Sequence, residues 1–116
     1  MTIEELIIYG KQFISSTETK ILLSEILNEN SLSLLNHLND IVDDDKINKF
    51  KEMVKARRNN IPIQYITGNV NFYGLDLYVN KDVLIPRFET EELVENTINI
   101  IKDTFNDNLK ILDLCT

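Results

Sequence analysis

Residues 61–95 read IPIQYITGNVNFYGLDLYVNKDVLIPRFETEELVE, and the periodicity of the chain changes within this stretch. Apolar residues occupy every second position on both sides of Gly74, and two alternating runs around a glycine predict a β-hairpin. Helical spacing resumes afterwards and predicts a helix from about residue 89 to residue 105. The segment LKILDL at 109–114 is typical of a strand. The stretch at 61–95 therefore contains a predicted hairpin and the start of the helix that follows it.

The sequence before residue 61 predicts four helices. Thr2 and Glu5 have the spacing of a capping box at the start of the first helix. Ser31 is the expected N-cap of a short third helix that carries Leu34, Leu35 and Leu38. The second helix is expected from about residue 18 to residue 28, with these residues facing inward: Ile21, Leu22, Ile26 and Leu27.

The fourth helix is predicted to begin at residues 43–45, because three aspartates suit the positive end of a helix. It should end near Asn59, since Pro62 disfavours helix in the residue before it. Its expected buried residues are Ile47, Phe50, Met53 and Val54. This part of the chain is therefore expected to be a helical bundle.

Composition excludes several classes of protein. Of the 116 residues, 43% are hydrophobic and 27% are charged, which is typical of a foldable chain. A single cysteine excludes an intrachain disulfide and a cysteine-based metal cluster, and a single histidine argues against a histidine-centred metal or catalytic site, so we expect no metal. The net charge of −7 argues against direct binding of nucleic acid. No apolar run exceeds four residues, so we expect a cytoplasmic protein without a membrane partner.

The stretch at 61–95, followed by ILDLCT at 111–116, resembles the bacterial protein-(glutamine-N5) methyltransferases that modify peptide chain release factors. The family pattern is roughly R-R-x-x-x-P-x-x-Y-x-x-G, then F-x-G, L-I-P-R-P-E-T-E and I-L-D-L-G-T-G-S-G. The resemblance implies a mainly α chain with a helical substrate-docking domain at residues 1–62 and a linking β-hairpin at residues 63–85. Residues 86–116 would then begin a Rossmann-like α/β domain that binds S-adenosylmethionine, of which only the first helix and strand are expected here.

Two residues depart from the family pattern, and two other readings stay open. Phe88 replaces a proline, and Cys115 replaces the first glycine of the cofactor loop. A sister family methylates a glutamine of a ribosomal protein, but it typically lacks the E-T-E that follows Arg87 here. The chain could also be a free-standing helical interaction module with a hairpin.

The resemblance implies where the cofactor and the reaction pocket would lie. Leu84 and Ile85 would form a wall of the pocket, with ordinary core packing as the alternative. The start of the last helix could meet the cofactor's carboxylate, or its residues could merely cap the helix. The implied cofactor-binding residues are Arg87, Thr90, Asp113, Cys115 and Thr116. The family's catalytic N-P-P-Y motif is absent from these 116 residues, so we expect no catalytic residue, no methyl transfer and weak cofactor binding.

Half of the 12 basic residues fall between positions 46 and 58. Lys51, Lys55 and Arg58 share one edge of the predicted helix and suggest a contact surface for an acidic release factor. A solvated helix face offset by the aspartates at 43–45 is the alternative. Arg57 faces the apolar side, so we expect it to pack or pair internally.

The last predicted helix carries an apolar stripe formed by Val94, Ile98, Ile101 and Phe105. Without a covering sheet, this stripe and the strand-like end would stay in contact with water, which is unfavourable. An unpaired strand edge is also a template for another chain. We therefore expect either self-association through residues 89–116 or disorder of the last residues.

Overall fold

The structure, a computed structural model, describes residues 1–105 and 107–114. Helices dominate this part of the chain, and a single antiparallel hairpin interrupts them, which confirms the predicted fold class. The elements are α1 (Ile3–Lys11), α2 (Ser16–Leu27), a 3₁₀ helix (Ser33–Asn36), α3 (Asp44–Arg58), α4 (Ile63–Thr67), β1 (Asn69–Phe72), β2 (Leu75–Tyr78) and α5 (Thr90–Thr104).

Two capping boxes fix the starts of the first two helices. The Glu5 amide donates to Thr2 Oγ1 over 3.3 Å, and the Thr2 amide donates to Glu5 Oε2 over 2.9 Å, as the sequence predicts. A second box joins Ser15 and Glu18 in the same way, so α2 begins at Ser16 rather than near residue 18 as predicted. Because each box satisfies amides that have no partner within the helix, it fixes the residue at which the helix begins.

The core lies where α1, α2 and α3 meet. Its buried residues are Ile3, Leu6, Ile7, Leu22, Leu23, Leu34, Val42, Ile47, Phe50, Met53 and Val54. All four residues predicted to be buried on α3 are among them. Gly10 allows α1 to approach α2 closely, because a Cβ atom there would lie 2.5 Å from Thr19 Cγ2 and 3.2 Å from Phe50 Cζ. The short helix α4 adds Ile63 and Ile66 to the edge of this core.

The segment around α2 corrects two predictions. Ile21 was expected to face inward but is 39% exposed, since the start at Ser16 directs Leu22 and Leu23 into the core instead. Ser31 does not cap an α-helix: the expected third helix is the 3₁₀ helix Ser33–Asn36, which has no side-chain cap. Leu34 is buried there, but Leu35 is half exposed.

The hairpin confirms the alternating pattern. Asn69 pairs with Tyr78, and Phe72 pairs with Leu75. The turn residues Tyr73 and Gly74 both have positive φ angles, 50° and 77°, which is the geometry of a two-residue turn that matches the twist of the strands. After the hairpin, the chain returns to α4, where the Tyr65 hydroxyl donates to the Val83 carbonyl.

The helix α5 forms as predicted, but it lies away from the core. None of its residues is buried. The radius of gyration is 18.9 Å, whereas a compact domain of this length would have about 13 Å. The strand predicted at 109–114 is wrong for the described residues, because no strand lies beside it to complete a ladder, and Leu112 is 80% exposed. No helix in residues 1–105 or 107–114 is both long and apolar enough to cross a membrane.

Candidate functional site

A groove between α1 and α3 brings together the three basic residues that the sequence singled out. Lys51, Lys55 and Arg58 line a cavity of about 310 Å³. The other residues that line it are Tyr9, Phe13, Glu52 and Val54. We call this cavity the basic groove. It is a concave surface in which aromatic rings from the α1 side meet cationic side chains from α3.

Two of the three cations lie over aromatic rings. Lys51 Nζ is 5.5 Å from the centroid of the Tyr9 ring, and Arg58 Cζ is 5.3 Å from the centroid of the Phe13 ring. Such cation–π contacts are each worth about 0.5–1 kcal/mol at exposed sites. They hold the stems of both side chains against the groove.

The aromatic floor is connected to the core. The rings of Tyr9 and Phe13 pack edge to face with centroids 5.2 Å apart. Tyr9 also packs against the fully buried Phe50, with centroids 6.5 Å apart. Because Tyr9 contacts both the core and Phe13, the floor has a defined shape before any partner arrives.

Arg57 does not belong to the basic groove. Its Nε donates to Glu18 Oε1 over 2.7 Å, joining α3 to α2. Its guanidinium also donates to the Ile61 carbonyl over 3.4 Å. The Arg57 hydrogen bond lowers the pKa of Glu18, although partial burial of the carboxylate opposes that shift. This pairing confirms the expectation that Arg57 pairs internally.

The charge of the groove differs from that of the whole chain. Three cations and one carboxylate line it, although the chain carries a net charge of −7. Lys46, nearer the start of α3, is partly offset by Asp43 at 4.0 Å. The local positive charge is therefore concentrated toward the end of α3, where it can attract an acidic partner.

The start of α5 contains the residues implied to meet the cofactor. The amide of Thr90 donates to the Arg87 carbonyl over 3.0 Å, and the next two amides make similar turn bonds. Glu89 stands at the N-cap position, but its side chain makes no capping bond. The adjoining cavity is lined by Tyr73, Phe88, Glu89, Glu91, Glu92 and Glu95. Four carboxylates lie around this helix start, and its first three amides already donate hydrogen bonds. The helix start is therefore poorly suited to bind another carboxylate.

The remaining predicted site residues do not converge on one pocket in the described structure. Leu84 is 81% exposed and is not packed in a core, whereas Ile85 is partly buried. Asp113 lies beside the middle of α5, in a cavity that it shares with Val94 and Ile98, rather than beside Arg87 and Thr90. Cys115 and Thr116 lie outside the described residues.

Sequence reasoning did not foresee that Tyr9 and Phe13 belong to the groove. Phe13 continues the apolar spacing of Leu6 and Gly10, a pattern that predicts burial, yet the residue is 39% exposed. The only local signal was the aromatic pair four residues apart, a separation at which helical side chains meet. Their position next to α3 depends on how the helices pack, which the spacing within α1 does not contain.

Three packed helices, a short fourth helix, a β-hairpin and a further helix define this chain as a small helical domain followed by a hairpin and a helix. Residues 11–68, half of the chain, match the family described as the PrmC N-terminal domain. The chain therefore belongs to the PrmC N-terminal domain family.

Several curated relatives are similar to this chain over most of its length. A release factor glutamine methyltransferase of Leptospira interrogans is 36% identical over 99 residues, covering 85% of this chain and 34% of the relative. Proteins of the same name from Bacillus subtilis and Lactococcus lactis are 38% and 44% identical, covering 72% and 75% of this chain and 30% and 31% of those relatives. The chain thus spans about a third of the length of these relatives.

Proposed function

We propose that this chain is the N-terminal, release-factor-docking part of an S-adenosylmethionine-dependent protein-(glutamine-N5) methyltransferase. The substrate would be the glutamine in the Gly-Gly-Gln motif of peptide chain release factors. Membership of the PrmC N-terminal domain family supports this proposal, as do the names of the relatives. The sequence element ETE at residues 89–91 favours a release factor over a ribosomal protein as the substrate.

The observation that carries the docking role is the basic groove. Lys51, Lys55 and Arg58 provide a local positive surface on an otherwise acidic chain. Complementary charge speeds the encounter of two proteins and selects their relative orientation. The solvated-face alternative is less favoured, because Lys51 and Arg58 stack on aromatic rings and do not pair with the aspartates at 43–45.

We assign the proposed roles to consecutive parts of the chain. The helical docking domain, proposed at residues 1–62, is extended by α4, which packs on the same core. The hairpin within residues 63–85 would link it to a catalytic domain that begins near residue 86. The exposed side chain of Leu84, on the segment between them, is available to form a wall of the reaction pocket together with Ile85.

The cofactor supplies an electrophilic methyl group, and the amide nitrogen of glutamine is a poor nucleophile because its lone pair is delocalised. Catalysis would therefore depend on holding the amide in line with that methyl group. The described residues do not by themselves fit S-adenosylmethionine, since carboxylates crowd the start of α5 and Asp113 lies away from it. Cofactor contacts by Arg87, Thr90, Asp113, Cys115 and Thr116 stay a proposal about the whole protein.

The test is to sequence the gene beyond the codon for Thr116 and to express its whole product. That product is then incubated with labelled S-adenosylmethionine and a purified release factor. We expect label on the glutamine of the Gly-Gly-Gln motif and none on a release factor in which that glutamine is alanine. Label on a ribosomal protein alone would identify the sister activity. A stop codon directly after Thr116, with no transfer, would support the free-standing interaction module.

A further inference from the structure

We infer that the basic groove binds an acidic segment of the release factor by enclosing one large apolar side chain between flanking carboxylates. This inference rests on the proposed function, because that function names the release factor as the partner. It goes further by defining the chemistry of the bound segment and the residues that recognise it.

The size and lining of the groove argue for a side chain as its occupant. Sites for small-molecule ligands usually range from roughly 300 to 1,000 Å³, and the groove, at about 310 Å³, lies at the lower limit. Its floor is formed by Tyr9, Phe13 and Val54. An apolar side chain placed there would cover the exposed part of the Phe13 ring, which is otherwise in contact with water.

The cationic rim argues for carboxylates beside that apolar side chain. Lys51 and Arg58 are seven positions apart on α3, with Lys55 between them, which corresponds to about 10 Å along the helix axis. The cation–π contacts orient Lys51 and Arg58 and leave their donors able to bind oxygen. The partner should therefore carry carboxylates spread over about 10 Å, such as acidic residues two helical turns apart.

Two exposed residues outside the groove provide matched controls. Lys49 is exposed and lies about 160° around the helix from Lys51, so it faces away from the groove. Leu35 is 50% exposed and Phe13 is 39% exposed, but Leu35 does not line the groove. Substituting Lys49 or Leu35 changes the same type of side chain without changing the site.

The experiment titrates the 116-residue chain with purified release factor by calorimetry, after circular dichroism has shown that each variant is folded. We expect Lys55→Glu and Phe13→Ala each to weaken binding about 10-fold. We expect Lys49→Glu and Leu35→Ala to change it less than about 2-fold. Raising the salt concentration from about 50 to 300 mM should weaken binding by the original chain more than binding by Lys55→Glu. The reason is that salt screens the positive charge that the variant lacks.

The outcomes separate this inference from the proposed function. If the original chain binds and the two groove variants bind as tightly as their controls, the groove is not the site and the inference is overturned, while docking elsewhere on the chain stands. If the original chain shows no binding, the docking role itself is wrong, and the methylation assay alone then decides the enzymatic part. Lys55→Glu lies on the surface, so it keeps the test valid even if Phe13→Ala unfolds.

Discussion

The helices α3 and α5 have the same length, 15 residues, yet they differ in what covers them. The apolar face of α3 is buried, with Phe50 fully enclosed, whereas no residue of α5 is buried. The sequence of α5 is the more strongly amphipathic of the two. Amphipathic spacing thus predicts that a helix forms and which face is apolar, but it does not predict which element covers that face.

The neighbours of the two helices explain this difference. α3 packs against α1, α2 and α4. For α5, the described structure gives a hydrogen bond from the Tyr73 amide to Glu91 Oε1 and a loose cavity shared with residues 111–114. Stability should therefore be concentrated in the helical part, and mutations in the two regions should have unequal effects.

The largest expected effect comes from Phe50→Ala. Removing this buried ring should lower the free energy of unfolding by roughly 3–5 kcal/mol, through lost burial and the cavity left behind. The matched change Ile98→Ala in α5 should cost less than about 1 kcal/mol, because Ile98 is only partly buried. Urea denaturation followed by circular dichroism measures both. Equal losses would contradict the comparison and would mean that α5 packs on the helical core.

Gly10→Ala should destabilise the helical part by about 1–3 kcal/mol, since the new methyl group would overlap Thr19. The same denaturation experiment measures it. Thr19→Ala removes both overlapping atoms, so the double variant should lose less stability than the sum of the two single variants. Additive losses would show that the α1–α2 contact at Gly10 is looser than the structure indicates.

The ion pair between Glu18 and Arg57 should make stability depend on pH. Arg57 lowers the pKa of Glu18 below its ordinary value of 4.5, so the pair stabilises the fold above that pH and is lost as the pH falls through the lowered value. Glu18→Gln should cost about 1 kcal/mol at pH 7 and progressively less in acid. Thermal unfolding between pH 7 and pH 3 checks this, with the exposed Glu25→Gln as control. A cost that does not vary with pH would rule out the ion pair as its cause.

The smallest expected effect concerns association through α5. Its uncovered stripe should give weak self-association, detectable by light scattering near millimolar concentration. Ile98→Lys should abolish the concentration dependence, whereas Leu35→Lys, outside α5, should not. A strictly monomeric chain across the dilution series would contradict self-association through residues 89–116.

The parts of the fold that local chemistry determines were predictable. The Thr2 capping box, the extent of α3 and the turn at Gly74 all depend on residues close in sequence. The short third helix was predicted with the wrong type and the wrong cap, and α4 was not predicted, because four or five residues are too few to show a period. The strand at 109–114 was wrong because a strand requires a partner distant in sequence.

The candidate site shows the same division. The cationic edge of α3 could be predicted, because Lys51, Lys55 and Arg58 share a face by helical spacing alone. The aromatic floor could not, since Tyr9 and Phe13 reach α3 only through the packing of α1. The expected cofactor contacts at Arg87 and Thr90 would likewise depend on elements outside the local sequence.

The central claim is that the helical part, rather than α5, docks the release factor. Hydrogen exchange of the 116-residue chain, measured with and without a saturating amount of purified release factor, tests it directly. Docking through the basic groove predicts added protection in peptides that cover residues 9–13 and 51–58, with no change in residues 90–104. Added protection confined to residues 90–104, or none anywhere in the chain, would contradict it.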